Sequence, residues 1–253
     1  SLKTAISLYH VLEEKGREPQ YDGYVESFTE NWEKLEQYDN NAPKTMNAHL
    51  HVLEAYTLLY QCWKDNGLKK RLEFCVDLFM NRIYDPSRRH FNLFFDNEWN
   101  SLVEMDSYGH DVETGWLLCE AARTLENQDL IKRTNLLALD VTGACLAEGM
   151  SDKGYMIYEK KGDRKTKHAS WWGQIETVIA CVNAWQISGS DVYLQSVDTV
   201  WTFVKDHMVD KEYGEWYSDC FDGEPKKEAP KVSMWRCPYH TVRLGVEMYN
   251  RLK

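Results

Sequence analysis

The residue pattern is that of an all-α protein, a toroid of helical hairpins with short β-hairpin loops. Three observations point there. Eight segments repeat apolar residues at i, i+3, i+4 and i+7, near residues 2–15, 44–64, 67–83, 110–126, 127–148, 170–188, 190–209 and 238–251. Four short alternating stretches rich in aromatics lie between pairs of them, centred near residues 24, 93, 156 and 217. The first helices of the pairs carry polar residues at a common phase, with Glu54, Glu113 and Glu176 at intervals of 59 and 63.

Taken in order, the loops read "YDGYVESF", "HFNLFFDNEW", "KGYMIYEKKGD" and "YGEWYSDCFDG", each a predicted hairpin or extended loop with aromatics on one face. The first helices read "MNAHLHVLEAY", "GHDVETGWLL", "WWGQIETVIACVNAW" and "CPYHTVRLGVEM". They mix polar residues into apolar runs, as helices lining a cavity would. The second helices are ordinary amphipathic ones, as in "LKKRLEFCVDLF". Pro238 suits the first turn of the last helix. A period near 60 exceeds that of the usual solenoid repeats, and a ring of six such pairs needs about 360 residues. The chain has 253 residues and opens at Ser1 inside an apparent helix. The expectation is a single domain over 1–253, N-terminally truncated and corresponding to the C-terminal two-thirds of a larger barrel.

Composition narrows the function. A formal charge of −10 disfavours nucleic acid and anionic membrane surfaces as partners. No apolar run approaches the roughly 20 residues that span a bilayer, and the N-terminus is not a signal peptide. The seven cysteines are odd in number and lack C-x-x-C spacing, which predicts reduced, buried thiols in a cytoplasmic protein. Ten Trp and fifteen Tyr suit carbohydrate binding, because indole and phenol faces stack on sugar rings.

The candidate site residues lie on the first helices. Asn47 and His51 share a helix face, with Glu54 a turn further on; His49 points elsewhere. His110 and Glu113 are i, i+3, a spacing that serves a metal half-site, an oriented acid–base pair or a structural ion pair. Trp116 is three residues further on, and Trp172 and Glu176 are i, i+4. His240 stands at the start of the last helix. Each alone has an ordinary packing explanation. Together they bring histidines, carboxylates and indoles to matching phases of successive helices. Two histidines on either side of a sugar carbon can act as acid and base, since imidazole titrates near pH 6.5.

The segments "KTMNAHLHVLEAYTLLY", "DSYGHDVETGWLL", "WWGQIE", "GEWYSD" and "WRCPYHTVR" resemble the N-acylglucosamine 2-epimerase superfamily, and within it the cellobiose 2-epimerases. They run in family order through essentially the whole chain. Gly173 and Ile175 depart from the pattern but leave the site positions intact. The resemblance implies an (α/α)6 barrel, no metal and no cofactor. It implies a small-molecule carbohydrate substrate, epimerised at C2 of the reducing-end aldose of a disaccharide such as cellobiose or lactose. His110 and His240 match the catalytic acid–base histidines and His51 the third active-site histidine. Glu113 matches the partner glutamate, while Asn47, Trp116, Trp172 and Glu176 match substrate-contacting positions. A family arginine that contacts substrate lies before the first residue of this sequence. A monomer or homodimer is expected.

Other readings are an N-acylglucosamine 2-epimerase or aldose–ketose isomerase of the same superfamily, a glycoside hydrolase using Glu113 and Glu176, and a non-catalytic sugar-binding fragment.

Overall fold

A computed structural model describes residues 1–35, 37–38 and 41–253. The chain forms two compact units, Ser1–Met105 with Leu117–Thr134, and Asp106–Trp116 with Asn135–Lys253. Its helices are α1 (Leu2–Val11), α2 (Met46–Cys62), α3 (Asn66–Leu78), α4 (Tyr108–Thr124), α5 (Gln128–Gly149), α6 (Trp171–Ser188), α7 (Val192–Phe203) and α8 (Tyr239–Arg251). Every helix expected from apolar spacing is present, with ends close to those expected. Single π-helical turns, Leu12–Gly16, Phe79–Ile83 and Val204–Met208, prolong α1, α3 and α7. Each is followed by an extended residue that begins the next loop: Arg17, Tyr84 and Val209.

Short polar side chains start three helices. Thr45 Oγ1 accepts from the Ala48 N–H, Asp65 Oδ1 from Leu68 N–H and Ser170 Oγ from Gly173 N–H. Gly189, at φ 70°, ends α6 in the left-handed conformation. The strands are short: β1 (Lys44–Thr45), β2 (Tyr84–Asp85), β3 (His90–Phe91), β4 (Phe94–Phe95), β5 (Met105–Asp106), β6 (Lys160–Lys161), β7 (Arg164–Lys165), β8 (His168–Ser170), β9 (Asp219–Phe221) and β10 (Glu224–Pro225).

The stretch "HFNLFFDNEW" does not close on itself as a hairpin. Its β3 pairs with β2 and its β4 with β1. Phe91 and Phe95 are buried there, Phe91 edge-on to Phe79, so burial against helical residues decides the pairing. The "YGEWYSDCFDG" stretch does form a hairpin, β9 with β10, and β9 also pairs with β8. Strand β8 then runs straight into α6. Five of the seven thiols are buried, but Cys62 and Cys237 are exposed, unlike the expectation for the set.

In the first unit α2 packs against α1 and α3, burying one face that includes Met46, Leu50 and Leu53. Two buried polar side chains before and within α2 hold the loops. Lys44 is fully buried and donates to the carbonyls of Asp22 and Asn97, both at 2.7 Å. His49 is fully buried. Its Nδ1 lies 2.6 Å from the Thr45 carbonyl, and its Nε2 accepts from the Tyr24 N–H at 2.9 Å. Accepting that bond requires an unprotonated Nε2. Gly23 fits beside this ring because it has φ 94° and no side chain; a Cβ there would lie 2.4 Å from the Trp99 ring.

In the second unit α6 lies between α7 and α8. Every residue from Gly173 to Ala184 is buried, the signature of a helix covered on all sides. Helix α8 instead buries only Arg243 and Leu244.

Burial holds the His49 imidazole neutral, lowering its pKa from 6.5 to about 4 despite the Thr45 carbonyl. The unfolded chain therefore binds more protons between these values, and stability falls as pH drops from 6.5 through 4. His49→Gln should cost about 1–3 kcal/mol at pH 7 and less at pH 5, where the parent has lost part of this contribution. Urea unfolding at the two pH values measures the difference.

Candidate active site

Helices α4, α6 and α8 bring six polar or aromatic side chains together in the second unit. The buried length of α6 fixes Trp172 in its first turn and Glu176 one turn on. Glu176 is fully buried, and both of its oxygens are used. Its Oε2 accepts from Trp116 Nε1 at 2.9 Å. Its Oε1 lies 2.7 Å from His240 Nδ1 and accepts from Arg243 Nη1 at 3.1 Å.

The same Arg243 nitrogen donates to Glu113 Oε1 at 2.6 Å. Glu113 is 1% exposed, so two buried carboxylates from α4 and α6 share one guanidinium from α8. The guanidinium also lies over the Tyr239 ring at 4.2 Å and the Trp116 ring at 5.4 Å. Buried charges need this degree of pairing, because each leaves water at a cost of several kcal/mol.

Trp172 forms the other wall. His110 lies 4.6 Å from its ring centre and His240 5.7 Å. The two imidazoles thus flank one indole and are separated by no more than the sum of those spans. His110 Nδ1 is 2.8 Å from Ser107 Oγ, just ahead of α4. Tyr158 meets Trp172 edge-on at 6.0 Å. Gly109 makes the close approach of α4 and α6 possible: a Cβ there would lie 2.7 Å from Trp172 Cζ3 and 3.2 Å from the Gly173 Cα.

Donor atoms of Glu113, Glu176 and His240 lie within 4.8 Å of one another, a spacing that could hold a metal ion. Arg243 Nη1 already supplies a cation between the two carboxylates. A divalent ion would have to displace it.

His110, Glu113, Trp116, Trp172, Glu176 and His240 are thus assembled in one unit. The carboxylate on His240 is Glu176, whereas Glu113, the expected histidine partner, holds Arg243. Trp116 is 3% exposed and bonded to Glu176, so it lies behind the carboxylate. Asn47 and His51 belong to the first unit, on the exposed side of α2, where His51 Nδ1 pairs with Glu54 Oε2 at 3.3 Å. Sequence reading did not single out Arg243 or Ser107. The signal for Arg243 was faint: a cation three residues after His240, next to the apolar Leu244.

The helical-pair architecture places the chain in the (α/α)6 class of all-α enzymes folds, as its structural likenesses show. The solved structure of cellobiose 2-epimerase from Bacillus thermoamylovorans B4167 matches it with a TM-score of 0.94 at 33% identity, over 99% of this chain and 66% of that one. The profile of the family N-acylglucosamine 2-epimerase (GlcNAc 2-epimerase) matches residues 2–243, and the chain belongs to that family. It is 38% identical to the cellobiose 2-epimerase of Bacteroides fragilis over 98% of its own length, and 35% identical to that of Dictyoglomus turgidum over 100%. It spans 65% and 66% of those two relatives. No described helix is long and apolar enough to cross a membrane.

Arg243→Met would strand two buried carboxylates and should destabilise the protein by about 3–5 kcal/mol, seen as a lower urea midpoint. Arg243→Lys keeps the charge and should lose less. Gly109→Ala should push the Trp172 indole out of line with the imidazoles, which a crystal structure of the variant would display.

Proposed function

We propose that the protein is a sugar epimerase that inverts C2 of the reducing-end aldose of a disaccharide of the cellobiose or lactose type. The observation that carries this reading is the pair of imidazoles, His110 and His240, on one indole, Trp172. Its kinship with cellobiose 2-epimerases supports the substrate class.

In this mechanism the sugar ring opens and its aldehyde acidifies the C2 hydrogen. One histidine, neutral at Nε2, takes that proton, and the C2–H electron pair moves into a cis-enediolate. The second histidine, protonated, returns a proton to the opposite face of C2. The reverse reaction exchanges the two roles. With Nδ1 donating to Glu176, His240 presents Nε2 as its proton-transfer atom. Glu176 fixes that tautomer and stabilises the imidazolium when it forms. Ser107 orients His110 in the same way. Arg243 and Glu113 hold Glu176 in place, and Trp172 gives the sugar a stacking face. His51, paired with Glu54, is the third histidine of this reading, and Asn47 a further sugar contact.

The glycoside hydrolase reading is less well supported. Its acid and base would be Glu113 and Glu176, yet both carboxylates turn to the same Arg243 nitrogen in a buried position, where they do not bracket a glycosidic bond.

Incubation with cellobiose in D₂O, followed by proton NMR, tests the proposal. The epimer should appear with deuterium at C2 and no free monosaccharide. Released glucose would favour the hydrolase, and epimer without deuterium would exclude proton exchange at C2. His110→Asn and His240→Asn should each lower kcat by about 10²-fold or more with disaccharide binding retained. Trp172→Ala should act mainly on KM, since stacking holds ground and transition states alike.

A further inference from the structure

A second group of unusual polar atoms lies at the base of the 231–238 loop. Arg236 is 3% exposed. Its Nη2 donates to the Trp216 carbonyl. Its nearest carboxylate, Glu215, is 3.5 Å away with a side chain 44% exposed. That is weak compensation for a buried guanidinium. Asp219, the next nearby acid, is engaged by His168 at 2.6 Å. Among the described residues Arg236 Nη1 has no hydrogen-bond partner, and neither does the buried Nε1 of Trp171. The two groups are neighbours: the guanidinium carbon lies 5.0 Å from the centre of the Trp171 ring. Both are obligate donors, so neither can satisfy the other.

We propose that Arg236 Nη1 and Trp171 Nε1 together bind a small monovalent anion of chloride size. An anion supplies the missing acceptor and the missing negative charge at once; a water molecule would supply only the first. The polypeptide around the pair can yield to admit it. The Ser233–Arg236 turn is closed by reciprocal backbone bonds of 3.0 and 3.2 Å. The outer side chains there, Val232, Met234 and Trp235, are 70%, 86% and 84% exposed, so little packs against the turn from outside. Burial also draws the Arg236 pKa down against the pull of Glu215 and Asp219, and a bound anion would reverse that. Trp171 is held at its backbone by the Ser218 carbonyl at 2.9 Å and stands edge-on to His240 at 6.3 Å. The ion would therefore tie the 231–238 loop to the start of α6.

Thermal unfolding of the purified protein in sodium chloride against sodium gluconate, at constant ionic strength, tests the site without any enzymatic readout. A Tm that rises saturably with chloride over gluconate is expected, because a ligand of the folded state alone stabilises by mass action. Trp171→Phe keeps the ring and removes one donor, and should weaken chloride about tenfold, the effect of one charge-assisted hydrogen bond. Arg236→Met should abolish the response; if it fails to fold, Trp171→Phe decides. Crystals soaked in bromide should give an anomalous peak within hydrogen-bond distance of both nitrogens. Equal Tm values in the two salts, an unchanged chloride response in Trp171→Phe, or only a water molecule at the position would overturn the proposal.

Discussion

The second unit depends on one guanidinium. Glu113 and Glu176 come from helices whose surroundings are almost wholly apolar, and neither carboxylate could stay in that interior without a counter-charge. Arg243 provides it to both through a single nitrogen. The consequence is mechanical as well as electrostatic. Helix α8 buries little apolar area of its own, so the arginine fixes its rotation against α4 and α6. That rotation sets His240, three residues earlier on the same helix, onto the free flank of Glu176. Trp116 closes the remaining oxygen.

Shape sets the other half of the arrangement. The first turns of α4 and α6 meet where Gly109 and Gly173 leave the backbones bare, and the indole of Trp172 fills the space a side chain at 109 would occupy. The indole is thereby held at a fixed height between two imidazoles. The charge network and the aromatic wall have separate supports, one from α8 and one from the glycine contact. A change in either reaches the histidines by its own route.

The first unit solves a related problem with different residues. Its loops run over helix α2 and need their backbone groups satisfied. Lys44 and His49, both fully buried, supply donors to carbonyls and an acceptor to one amide. The histidine of α2 that is buried is thus a structural one, while His51, two residues on, faces outward. Side-chain direction on one helix separates the two roles.

Much of the protein was legible in its sequence. Apolar periodicity located all eight helices because burial of a helix face is a local, repeated demand on residue type. The i, i+3 and i, i+4 spacings grouped His110 with Glu113 and Trp172 with Glu176 because helix geometry alone sets which side chains share a face. Pairing between helices was not legible. That Glu176 would take His240 while Glu113 took Arg243 depends on the rotation of α8, which no local pattern encodes. The cross-pairing of "HFNLFFDNEW" with β1 and β2 likewise followed from where Phe91 and Phe95 found cover. Sequence determined which residues lie on which helix and on which side of it. The tertiary structure decided which charge meets which, because an ion pair between distant helices forms only once packing has set their distance and rotation.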